Sequence, residues 1–217
     1  MLDVLTENFD AFASGLWVTT RLVLASFVLA LVLGTVVAAL RIAPSRWLQR
    51  LGALYVEIFR NLPLLVLLFI SFAGLRRAGV EIGPWTAGIA SLGVYTSAYV
   101  AEALRSGVFA VGKGQVEASL SLGFSQAQTM RRIVLPQAFR TVIPPLGSIT
   151  IAMIKNSAIV GASLLALPDL LKQARIVNSN TFQTTESFFW AAVGYMLLTV
   201  TVTVLVRSLE SRYAVRR

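Results

Sequence analysis

Neither cysteine nor histidine occurs anywhere in the 217 residues. The first absence rules out disulfides and thiolate metal sites. The second removes the usual zinc and proton-relay ligands. Charge is scarce as well: 13% of the residues are Asp, Glu, Lys or Arg, about half of the ~25% usual for a soluble domain. Acidic residues are the rarer sign, ten against 19 basic, for a net charge of +9. No glycine-rich phosphate loop ending in Lys-Ser or Lys-Thr is present, so no nucleotide site of that kind is expected in this chain. The N-terminus has no basic run ahead of its first apolar stretch. A cleavable signal is therefore not expected, and the first span serves as the insertion signal.

Hydrophobic residues fill the space that charge leaves, at 56% of the chain. Residues 22–40, 82–101 and 187–206 form runs of 19, 20 and 20 residues without Asp, Glu, Lys or Arg. About 20 apolar residues in a helix cross a hydrocarbon core of roughly 30 Å. Two further apolar runs, 61–75 and 141–168, are shorter or are interrupted by Lys155. The expectation is a single all-α integral membrane domain over residues 1–217, with five transmembrane helices at about 22–40, 53–75, 85–103, 142–166 and 187–207. Residues 1–21 read as a short outer amphipathic segment with Phe9, Phe12, Leu16 and Trp17 at the interface, and 167–186 as an outer amphipathic connection. A kink is expected near Phe59 to Pro63, because proline removes a donor and crowds the preceding turn. Pro144-Pro145 read as the first turn of span four.

The basic excess has a direction. With the N-terminus outside and five alternating spans, 13 of the Arg and Lys residues fall on inner segments, among them Arg41, Arg46, Arg105, Arg131, Arg132 and the tail. Five lie outside (Arg21, Arg76, Arg77, Lys172 and Arg175), and Lys155 is left in the membrane. This is the positive-inside pattern, which places the C-terminus inside. It explains the charge as a topology signal and leaves no reason to invoke nucleic acid.

Between spans three and four lies the one long polar stretch, about 104–140, on the inner side. Glu117 to Leu122 reads as a short helix, Gly123 as a reversal in the left-handed region, and Ser125 with Gln128 as a capping box. A second short helix, about 126–135, ends at a bend marked by Pro136. By itself this is a solvated loop with ordinary caps.

The spacing Glu117-Ala118-Ser119, then Gly123, then Ile133, Leu135 and Pro136 resembles the EAA loop of importer-type ABC permeases, with Ser119 where the second alanine of the motif stands. Further stretches are similar to the polar amino-acid permeases. They are Gly15 with Thr19-Thr20, Tyr55 to Leu65, Ala98-Tyr99-Val100-Ala101-Glu102, Leu135-Pro136-Gln137-Ala138, Pro144-Pro145 and Lys155-Asn156-Ser157. The resemblance runs over roughly 15–212. It implies a type I importer subunit in the cell membrane that is not itself an enzyme. A second permease, a related but different chain, would complete the pore. Two ATP-binding-cassette subunits would bind ATP and Mg²⁺, and an extracytoplasmic amino-acid-binding protein would deliver cargo. Glu117, Ala118, Ser119, Leu120, Leu122, Gly123, Phe124 and Ser125 would then form the coupling helix, with Leu120, Leu122 and Phe124 as apolar anchors.

Candidate pathway residues follow from chemistry out of place in lipid. Lys155, Asn156 and Ser157 sit mid-span, where a charge costs about 2.5–3.5 kcal/mol. They read as a pathway or gate, or Lys155 pairs with Glu102. Tyr95, Thr96 and Ser97 are further pathway candidates. Glu57 and Arg60 read as an inner gate network or a plain ion pair. Ala158, Ala162 and Ala166 with Gly161 give a small-residue face. Asn156, where an aspartate often follows the lysine in the family, and the tail Glu210 to Arg217 are similar to glutamate permeases and point to glutamate or aspartate as cargo. A gradient-driven carrier would need intramembrane carboxylates or a broken-helix repeat. A membrane enzyme would need a nucleophile or metal constellation. The sequence shows neither.

Overall fold

The computed structural model describes residues 1–163, 165 and 167–213; Ala166 of the small-residue face and the tail from Ala214 lie outside the described residues. The described residues fold into helices and short connections, with no strand among them. In chain order the helices are α1 (Leu2–Glu7), α2 (Phe9–Ile42), α3 (Arg46–Asn61) and α4 (Leu64–Arg77). Then follow α5 (Pro84–Phe109), α6 (Lys113–Ser121), α7 (Gln126–Ala162), α8 (Leu170–Thr181) and α9 (Thr184–Tyr213). Among the described residues, α2, α7 and α9 are long and apolar enough to cross a membrane, and the bent pair α3–α4 makes a fourth candidate.

The spans differ from the expected ones in instructive ways. Nothing breaks the helix between Phe9 and Ile42, so residues 9–21, expected as a separate outer segment, are the first turns of α2. At 34 residues α2 is about 51 Å long, well beyond a ~30 Å core. The second span is not one helix. Leu62 and Pro63 are extended, and α3 and α4 meet at 100°, a much sharper turn than a proline kink. Pro144 and Pro145 lie inside α7 rather than at its start. Nor does a second short helix end at Pro136, since α7 runs through it to Ala162. Just before that proline, Met130–Val134 form a π-helical turn. Widening the helix there moves the preceding carbonyls away from the proline ring.

α5 is the centre of the fold, packed chiefly against α2 and α7. It meets its neighbours with small residues, the buried Ala87, Gly88, Ser91, Gly93, Ser97, Ala98 and Ala101. Leu29 of α2 fills the space at Gly93, and Val100 fills the space at Gly34. Between helices in lipid there is little hydrophobic drive, so such close fit is what holds them together. Serine pairs add to it: Tyr55 to Ser97 at 2.7 Å and Ser71 to Ser91 at 2.6 Å tie α3 and α4 to α5. The opposite surfaces are greasy. Leu24, Val28, Val32 and Val36 recur every four residues along an exposed face of α2, a lipid-facing stripe.

At one end of the bundle α8 is more than an amphipathic connection. Leu170, Ala174 and Val177 are buried with Val4, Phe12 and Ala191. The helix starts at Asp169, which is fully buried. One carboxylate oxygen accepts from the Lys172 backbone N–H at 2.8 Å and the other from the Tyr195 hydroxyl at 3.3 Å. Thr19 of α2 accepts from the Leu170 N–H at 3.1 Å. The carboxylate lies so close to Gly161 that a Cβ there would stand 1.7 Å from Oδ1. One side chain thus joins α7, α8 and α9, with α2 beside it.

Burial pushes the Asp169 carboxyl up from 3.8 to about 6, against the hydrogen bonds that favour its charge. The folded chain keeps this proton up to about pH 6, whereas an unfolded aspartate loses it near 3.8. The resulting stabilisation is complete below pH 3.8 and is lost as pH rises through about 6, a change of about 3 kcal/mol. Thermal unfolding of the detergent-solubilised chain should show a midpoint that falls between pH 4 and 7. Asp169→Asn, which keeps the capping oxygen, should remove this component. A midpoint just as pH-dependent in the variant would contradict the assignment.

Candidate functional site

The polar loop folds as one short helix turned back on the base of a long one. α6 ends in a Schellman cap: Phe124 N–H donates to Ser119 O at 3.1 Å and Gly123 N–H to Leu120 O at 2.9 Å. Gly123 has φ +85°, where any side chain strains the backbone. Ser125 and Gln128 form the expected capping box. Glu117 and Ala118 are exposed. Leu122 stands out into solvent at 79% exposure, and Phe124 is half-buried. Leu120 faces a groove of about 410 Å³ between α6, the end of α5 and the start of α7, with Val116, Glu117 and Met130.

Ser119, the departure from the family pattern, is a structural tie. It is buried and 2.8 Å from the Thr129 hydroxyl of α7, and it donates to Val116 O at 2.8 Å. Gln137 donates to Gln115 at 2.5 Å further along. These ties hold α6 against α7. Thr129 could not be singled out from the sequence, because no spacing rule links positions ten residues apart across a turn.

A groove with polar side chains set in a mainly apolar lining runs between α5 and α7. Tyr95, Thr96, Tyr99, Met153 and Asn156 line a cavity of about 160 Å³. It adjoins, at Tyr99 and Ile149, a wider space of about 420 Å³ lined by Arg60, Glu102, Ser106 and Thr141. Tyr95 and Tyr99, one turn apart, bring their hydroxyls within 3.1 Å. From Tyr95 to Ala110 the groove follows α5 for about 22 Å.

The predicted pathway residues divide accordingly. Tyr95, Thr96 and Asn156 share the cavity. Ser97 is buried against Tyr55, and Ser157 donates to Ile154 O at 2.7 Å within α7. Lys155 is exposed and does not line the cavity. The Lys155–Glu102 pairing does not form. Glu102 is held instead by Arg41 of α2 and by Arg105, whose Nη2 is 2.6 Å away. Arg105 is three residues along the same helix and could have been found from spacing; Arg41, 61 residues distant, could not. Glu57 and Arg60 also fail to pair. No ion pair joins them among the described residues, and Arg60 reaches across to lie over the Tyr99 ring, 5.2 Å from its centre. Gly161 gives the small-residue face its purpose here, making room for Asp169.

Several apolar helices with a polar loop between them define a multi-pass integral membrane protein. The chain belongs to the family of binding-protein-dependent transport system inner membrane components, whose description matches residues 30–215. It is 40% identical over 211 residues to the probable glutamine ABC transporter permease protein GlnM of Bacillus subtilis, with 97% of each chain covered. It is 38% identical over 214 residues to the glutamate transport system permease protein GluC of Corynebacterium glutamicum, with 93% of each covered. The crystal structure of an amino acid ABC transporter with histidines matches at a TM-score of 0.90 and 35% identity over 96% of each chain. The family resemblance read from the loop and its flanking motifs is thereby borne out, as is the place of the chain in the membrane.

The Ser119–Thr129 tie has a measurable value. Ser119→Ala and Thr129→Val should each cost about 1 kcal/mol. The double substitution should cost little more than either alone, giving a coupling of about 1 kcal/mol in a double-mutant cycle on thermal unfolding. Strict additivity would mean that the two hydroxyls do not interact.

Proposed function

We propose that the chain is the permease subunit of an ATP-driven amino-acid importer. It provides half of the translocation pathway and takes the mechanical input of partner ATPases through α6. The observation that carries this reading is the loop itself, an EAA-type helix held rigidly on α7 with Leu122 fully presented. Two ATP-binding-cassette subunits dock on the inner side, where Leu122 and Phe124 enter a groove on each ATPase in the helix-in-groove manner. A second permease, a related chain, completes the pore, and an extracytoplasmic binding protein delivers cargo.

In this reading the chain crosses the membrane five times, with α3–α4 as the bent second span and α5 as the third. The N-terminus is outside, and the loop and C-terminus are inside. Neighbouring helices cover much of α5, whose buried residues are mostly small. ATP binding brings the ATPases together, and α6 transmits that movement to α7, of which it is a rigid extension. Hydrolysis reverses the rearrangement, so each nucleotide state selects one orientation of the pathway. Glutamate and glutamine are the cargoes in the names of the relatives. The neutral Asn156 in the cavity suits either and disfavours a cationic amino acid. Glutamate or aspartate remains the first choice on the tail and helix motifs.

Glu117→Arg and Gly123→Asp should leave membrane insertion intact while abolishing co-purification of the ATPase and uptake. Gly123→Asp acts by straining the left-handed turn. Unaltered uptake in both would remove the coupling role from α6. Hydrolysis by the assembled transporter should be stimulated by its binding protein loaded with glutamate or glutamine. Stimulation by arginine alone would overturn the cargo assignment.

A further inference from the structure

Four charged side chains meet in or beside the groove, and one carboxylate serves two of the three arginines. Glu102 takes both Arg41 and Arg105, so its carboxylate is fully committed. Arg60 is exposed in the same space. No carboxylate is within ion-pair distance of it among the described residues; Glu57, three residues back on its own helix, makes no ion pair with it, and its backbone carbonyl accepts from Asn61. The guanidinium carbon lies over the Tyr99 ring, 5.2 Å from its centre, a cation–π contact that uses none of the guanidinium N–H donors. The N–H edge is the part of arginine that matches a carboxylate through two parallel hydrogen bonds. The Tyr99 ring also borders the smaller cavity, whose other polar groups, Tyr95, Thr96 and Asn156, are all neutral.

We propose that Arg60 is the carboxylate receptor of the translocation groove. Positioned over Tyr99, it takes the α-carboxylate of an amino-acid cargo passing between the Tyr95–Asn156 cavity and the wider space beside Glu102. Arg60 lacks a protein carboxylate partner among the described residues, and here the cargo supplies one transiently. The committed Glu102 does not compete for Arg60, and the neutral lining of the cavity leaves the cargo side chain to be read by hydrogen bonds. This assignment rests on the amino-acid permease reading.

The test is uptake of labelled L-glutamate, L-glutamine and 4-aminobutanoate by the complete transporter in proteoliposomes, with ATP hydrolysis followed in parallel. Wild type should carry the two amino acids and not 4-aminobutanoate, which lacks an α-carboxylate. Arg60→Gln should reduce uptake of both amino acids at least tenfold, with hydrolysis stimulated by the loaded binding protein kept within about twofold. Arg60→Lys, which keeps the charge but not the two-pronged edge, should raise KM several-fold with kcat little changed. Wild-type uptake by Arg60→Gln, an unchanged KM in Arg60→Lys, or loss of hydrolysis together with uptake would overturn the proposal. So would a defect confined to glutamate, which would assign Arg60 to the side-chain carboxylate. If the wild-type assembly hydrolyses ATP yet imports no amino acid, it is the permease reading that fails, whatever Arg60 does.

Discussion

The close contact of α5 with α2 is the constraint from which the rest of the structure follows. Leu29 seats at Gly93 and Val100 at Gly34, a fit that leaves no freedom of register between the two helices. Lipid solvates an apolar side chain as well as another helix does, so association depends on this kind of shape match. Once the register is set, Arg41 on α2 meets Glu102 on α5. The side of α5 turned away from Gly93 and Val100 presents Tyr95, Tyr99 and Glu102 along a single groove, and Arg41 reaches Glu102 there. A larger residue at Gly93 or Gly34 would force the helices apart and pull this charge cluster open.

Backbone hydrogen bonding is the second constraint, because hydrocarbon offers no partner for an unpaired N–H or C=O. Pro136 is accommodated by the π-helical turn before it, and Pro144 with Pro145 by a helix that continues through them. Pro63 is handled differently: the chain leaves helix altogether and turns through 100°. That break puts Arg60 at the end of α3, where its long side chain can reach the Tyr99 ring of α5. A continuous helix through 53–75 would have offered no such terminus.

The two ends of the molecule are held by different means. At the Asp169 end, one buried carboxylate joins α7, α8 and α9, and its charge is disfavoured by burial. At the loop end, neutral ties, Ser119 with Thr129 and Gln115 with Gln137, fix α6 on α7. In the proposed coupling, a movement imposed on Leu122 would pass into α7, the helix that carries Asn156 in the cavity. The loop and the groove share a rigid element.

The sequence by itself determined what depends on local composition and spacing. Two of the three charge-free runs, 22–40 and 187–206, fall in helices long and apolar enough to cross a membrane, and Gly123, Ser125 and Gln128 specified the caps of the loop. Family motifs identified the class of protein. Tyr95, Thr96 and Asn156 were legible as polar residues out of place in lipid. Only the tertiary structure decided the pairings. One reading of the sequence paired Glu102 with Lys155, and helix packing gave it Arg41, 61 residues away, with Arg105 instead. Arg60 had Glu57 one turn behind it, yet the break at Pro63 sent it to Tyr99. Ser119 looked like a small departure from a motif until Thr129 was found against it. In each case the deciding quantity is a distance between helices, which depends on register and on bends in the backbone and has no local signature in the chain.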